Sequence, residues 1–174
     1  MNKFAGPWLK MIRAAELAKE LDSVVGSFLD SKPHSVSAAY DAQTTEYAFR
    51  VHVRDTPPPI IGLLAGETAH AMRSALDYAI GELIAASADA SRPPRQNFAF
   101  PIFETPAHYA KVMRRNDGLP VAAVPILEGM QPYNENAGRG GLLWQLHRLD
   151  IEDKHRQLVA SAGGMAMTPI GWSR

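Results

Sequence analysis

The chain has 174 residues, enough for one domain with a buried core, and its 46% hydrophobic and 21% charged content is that of a globular protein. With 18 basic and 18 acidic residues the formal net charge is zero, which removes any global pull toward nucleic acid or anionic lipid. The absence of cysteine excludes disulfides, thiolate metal sites and cysteine nucleophiles.

The N-terminal stretch MNKFAGPWLKMIRAAELAKELDSVV mixes charges into its apolar residues, so it is neither a signal peptide nor a membrane span. A cytoplasmic protein with no membrane partner is the expectation. From Trp8 to about Asp30, Leu9, Ile12, Leu17, Leu21, Val24, Val25 and Phe28 recur at helical spacing, and Pro7 suits a first turn. The period then changes. Tyr47, Phe49, Val51 and Val53 alternate with polar or small residues, which predicts a half-buried strand, with Val36–Tyr40 as its partner and a turn at Asp41–Thr44.

TPPP at 56–59 stops both strand and helix, and a second long helix is expected from Ile60 to about Ala86. SADASRPPRQN reads as a loop and FAFPIF as an apolar extended segment pinned by Pro101. Thr105 followed by Pro106 is an N-cap signal for a short helix through Arg115, and another short helix is expected over Val121–Met130. QPYNENAGRGG is a polar loop, the last helix is expected over about Leu142–Ala162, and MAMTPIGWSR is read as a final strand. Together these elements predict a mainly α (α+β) fold in a single domain, 1–174. It is a helical bundle of two to three long helices with short helices and a small antiparallel β-hairpin inserted near 35–54.

Projection of the second helix at about 100° per residue puts Ala69, Met72, Leu76, Ile80 and Leu83 in one apolar arc. His70, Arg73 and Asp77 fall on its flank beside Gly66, at three- and four-residue spacings that let them touch. In the last helix Trp144, Ile151 and Leu158 share a stripe with His147 and His155. Leu142, Leu146, Leu149 and Ala160 form a second stripe with Asp153. A helix apolar on two sides is expected to be buried, and a buried Asp153 or His155 needs partners. His70, Arg73 and Asp77 are the expected ones.

Three chemistries compete for this network. Glu67 with His70 and Glu152 with His155 are Glu-x-x-His pairs of the kind found in ferritin-like di-iron bundles, with Glu16 or Glu20 and Glu128 as further carboxylates. Glu67 projects away from the apolar arc and Lys154 crowds the second pair, so no metal ligand and no cofactor is expected. The second chemistry is metal-independent RNA cleavage. There His155 serves as general acid or base, Arg148 or Arg73 stabilises phosphorane charge, Asp77 or Asp153 orients the histidine, and His70 completes the site. Its basic residues Arg92, Arg95, Lys111, Arg114, Arg115 and Arg139 are scattered over loops. The third is a non-catalytic ligand-binding or interaction module with a structural polar network, walled by Tyr133, Trp144, Phe100 and Phe103. Gly138, Gly140 and Gly141 lack the lysine and hydroxyl of a phosphate loop and read as a helix-start turn.

The ordered set GETAHAMRSALDYAIGEL, FPIF, QPY and LDIEDKHRQLV resembles a widespread group of bacterial helical proteins of unassigned activity that carry H-x-x-R-S-A-L-D-H and D-K-H-R motifs. His70, Arg73, Asp77, Asp153, Lys154, His155 and Arg156 hold the matching positions, and Tyr78 stands where that group often has histidine. The resemblance covers roughly 66–159 and implies a helical fold with a polar cluster, to which Lys154 and Arg156 add binding groups. Arg148 and His155 also resemble the Arg-x(4–6)-His pattern of the HEPN superfamily of helical ribonucleases and toxins, although Leu149 replaces its usual small polar residue. That likeness implies a toxin or defence effector, with RNA as partner and a homodimer as the assembly.

Overall fold

The computed structural model describes residues 4–87, 99–114, 118–134 and 141–155, with His155 described in its backbone only. In chain order it contains α1 (Ala5–Asp30), β1 (His34–Asp41), β2 (Glu46–Val53), α2 (Pro59–Ser87), α3 (Pro106–Met113), α4 (Ala123–Gly129) and α5 (Leu142–His155). A 3-10 turn at Pro132–Asn134 precedes α5. The architecture is mainly helical with one antiparallel hairpin, as the residue periods predict. The expected 87–97 loop beyond Ser87, the third helix's end at Arg115, most of the glycine-containing loop, the last helix beyond His155 and the C-terminal strand lie outside the described residues.

α1 and α2 pack against each other through Ala14, Leu17, Leu64 and Ala71, with Leu21, Val24 and Met72 around them. The stripe that meets α2 runs through Pro7, Ala14, Leu17, Leu21 and Val24, at three-, four- and seven-residue steps. Leu9 and Ile12 lie off that stripe and are exposed, contrary to the expected face. Small residues let the helices approach: a Cβ on Gly6 would sit 3.2 Å from the Tyr78 ring. Farther along α2, Ile80 and Ile84 join Phe100, Ile102, Tyr109 and Leu127 in the second cluster, with Leu76, Leu83, Phe103, Tyr133 and Trp144 against it. The apolar arc expected of α2 is thus divided between two cores.

α1 ends where Lys32 takes a left-handed φ of 55°. The Pro33 carbonyl then accepts the Arg54 amide at 2.7 Å and closes the base of the hairpin. The strands pair Val36 with Val51, Ala38 with Phe49 and Tyr40 with Tyr47. The Asp41 carboxylate accepts the Gln43 amide in the turn. The expected half-burial is not found: all of β2, and all of β1 except Ser35, is exposed. Alternation records that one face is apolar; it does not say that anything covers that face. At α3 the Thr105 hydroxyl accepts the His108 amide and Pro106 occupies the first turn, as the sequence predicts.

Candidate functional site

Among the described residues the segment Ala99–Phe103 lies outside helix and sheet and is not paired with a strand. Its backbone groups still need partners where Phe100, Pro101 and Ile102 are buried. Side chains supply them. Arg73 Nη2 donates to the Phe100 carbonyl at 2.8 Å, and Asp77 Oδ1 accepts the Phe100 amide at 2.8 Å. Arg73 and Asp77, one helical turn apart on α2, also pair at 3.2 Å. From the other side Gln131, fully buried after α4, accepts the Phe103 amide at 2.9 Å and donates to the Pro101 and Leu127 carbonyls. Three polar side chains thus take the place of neighbouring strands.

A second polar cluster joins α2 to α5. The Asp150 side chain is 4% exposed; its Oδ1 accepts from His70 Nδ1 at 2.9 Å and its Oδ2 from Lys154 Nζ at 2.7 Å. Burial alone would raise this carboxyl, but the Lys154 and His70 hydrogen bonds outweigh burial and hold it below the ordinary aspartate value. Next to this clamp α5 comes close to α2 at Gly66, where any Cβ would collide with the Asp153 carboxylate. A side chain at position 66 would therefore oblige the Asp153 carboxylate to turn away.

Along the extended segment lies a groove of about 620 Å³, lined by Arg73, residues 99–105, His108, Val112, Trp144 and His147. Its walls are largely apolar and aromatic: Phe103 stacks near His108 at 4.6 Å, and Trp144 near His147 at 5.6 Å. The Arg73 side chain is 8% exposed, and its Nη1 has no hydrogen-bond partner among the described residues. His147 Nδ1 is likewise buried and unpartnered. Burial and then the Arg73 charge push the His147 pKa below the ordinary value, so the ring is neutral at neutral pH.

The structure brings His70, Arg73 and Asp77 onto one side of α2, as expected, but divides them between two networks. The buried carboxylate of α5 is Asp150, where Asp153 was the expected one; Asp153 is partly buried against Gly66. Arg148 points away and pairs with Glu152 at 2.8 Å, with both side chains substantially exposed. Lys154 belongs to the clamp. Trp144 lines the groove. Tyr133 instead packs in the second cluster, where its buried hydroxyl lacks a partner and burial raises its pKa. The His155 side chain and Arg156 lie outside the described residues. Glu67 is exposed, and among the described residues no three His, Asp or Glu side chains gather as a metal-binding group. Nor is α5 buried on two sides: Leu142 is 82% exposed, and Leu149 and Ile151 are exposed as well. Asp150 and Gln131 are polar groups that the sequence reading does not single out, whereas His147 projects onto the Trp144 stripe but is given no role in the expected site. The four-residue step from Asp150 to Lys154 was the available signal for the first.

Replacing Asp150 by Asn leaves the Lys154 ammonium facing an amide and should cost about 1–3 kcal/mol at neutral pH. Because the folded carboxyl is held below its ordinary value of 3.8, its contribution is present above that pH and fades as pH falls through the folded value. Urea midpoints should therefore separate Asp150→Asn from wild type at pH 7 and draw together as pH falls through the folded carboxyl's lowered value. A gap that stays constant would contradict the clamp. The chain matches no family model, no curated protein and no solved structure.

Proposed function

We propose that the domain binds a flat, largely apolar small molecule carrying a carboxylate or a similar oxygen acceptor. The observation that carries this reading is the buried Arg73 in the groove wall, whose Nη1 lacks a partner. A buried N–H without an acceptor costs roughly 1–3 kcal/mol, which a bound oxygen would relieve. His147 Nδ1 supplies a second polar contact as donor or acceptor. Phe100, Phe103 and Trp144 furnish the apolar walls. The volume is within the range of about 300–1,000 Å³ usual for small-molecule sites. Asp77 neutralises much of the Arg73 charge, so the base of the groove favours a single acceptor group over a polyanion.

Titration with phenylacetate, indole-3-acetate and benzoate, followed by thermal melting, tests this reading. At saturating acid the melting temperature should rise by a few degrees, and His147→Ala should weaken binding about tenfold. No shift at millimolar acid, or an equal shift with the corresponding amines, contradicts it.

One observation favours a second reading, RNA cleavage without metal, in the manner of HEPN proteins. A histidine kept neutral beside a guanidinium is the pairing that abstraction of a 2′-hydroxyl proton and stabilisation of the phosphorane require. In this reading Arg73 is the phosphate stabiliser and His147 or His155 the base. Labelled RNA incubated in excess chelator should be cleaved by the wild type and spared by one of His147→Ala and His155→Ala, with folding retained. Intact RNA after incubation with the wild type ends this reading.

A further inference from the structure

Register and alternation place His34, Val36, Ala38 and Tyr40 on one face of the hairpin together with Tyr47, Phe49, Val51 and Val53. The opposite face carries Ser35, Ser37, Asp41, Glu46, Arg50 and His52. The apolar face already has internal order: Tyr40 and Tyr47 rings lie 5.1 Å apart across the strands, and Tyr47 and Phe49 lie 6.4 Å apart. Yet its six large side chains are each 56–65% exposed. A two-stranded hairpin alone is at best marginally stable in water and ordinarily needs a third strand or a packed helix. Among the described residues nothing packs on this face.

The geometry points to a second copy of this chain as what covers it, the two hairpins meeting face to face about a two-fold axis. With aromatic side chains contributing on the order of 150–250 Å² each, the face offers roughly 700 Å² per copy. That approaches the roughly 800 Å² per partner of a standard stable interface and exceeds the few hundred Å² usual for a monomer's patch. Apart from His34 at its base this face presents no Asp, Glu, Lys or Arg, so a copy related by a two-fold axis brings no carboxylate, ammonium or guanidinium of like charge against it. The charged residues on the opposite face stay in water when two such hairpins pack as aligned sheets. This surface does not depend on the ligand proposed for the groove.

Sedimentation of the full chain at tens of micromolar should give twice the 19.0 kDa chain mass. Phe49→Lys should halve the sedimenting mass, whereas Ala48→Lys on the other face should leave it unchanged. Because the chain contains no cysteine, single substitutions give a readout that tolerates a weakened hairpin. Val36→Cys should be joined into dimers by a short bismaleimide, and Ser37→Cys should not. A monomeric wild type, including one whose Val36→Cys thiol is shielded by the chain itself, overturns the inference. So does equal cross-linking from both faces.

Discussion

An extended segment that crosses a core without a neighbouring strand must find hydrogen bonds from somewhere, and this requirement organises the centre of the molecule. Phe100 offers an amide and a carbonyl to the interior, Pro101 a carbonyl and Phe103 an amide. Each group left unpaired in the buried state would cost about 1–3 kcal/mol, a large part of a domain's net stability. Arg73 and Asp77 satisfy one residue from α2, and Gln131 satisfies the other two from the far side. Polar residues are thus placed in the core because of what the backbone beside them lacks. The position of this segment sets one wall of the groove, and the same Arg73 that anchors it stands in that wall.

The residues that gave the sequence its signature fall into two structural devices and a remainder. One device holds the extended segment. The other is the Asp150 clamp, which draws α5 onto α2 near Gly66, where the Asp153 carboxylate occupies the space a Cβ would take. Most of the polar cluster is consumed in satisfying itself, the condition under which buried polar groups fix a packing. The remainder among the described residues is small: the Tyr133 hydroxyl in the second cluster, and one guanidinium nitrogen of Arg73 and one ring nitrogen of His147, both belonging to residues of the groove. That surplus directs attention to recognition of a ligand. The ion pairs around it serve to hold the fold.

Helix identity was legible wherever period and punctuation agreed. α1 stops at the Lys32–Pro33 boundary, α2 starts as TPPP ends, and α3 starts at the Thr105–Pro106 cap. The hairpin's register was legible too, since alternation and the turn after Asp41 leave little freedom. Its burial was not, because an alternating pattern states which residues share a face and nothing about what lies opposite. The last helix misled for a related reason. Asp150 and Asp153 project only about 60° apart, so the inward carboxylate is decided by where α2 crosses, which depends on Gly66 and not on α5's own period. Gln131 carries no periodic signal at all; its role comes from the unpaired backbone it reaches.

Native-state hydrogen exchange at the Phe100 and Phe103 amides tests the central claim most directly. If side chains stand in for a strand, both amides should be protected to nearly the level of the buried amides of α2. Asp77→Ala should then speed exchange at Phe100 by at least tenfold while leaving Phe103 slow. Exchange of both amides in the wild type at the rate of an exposed loop would contradict the account.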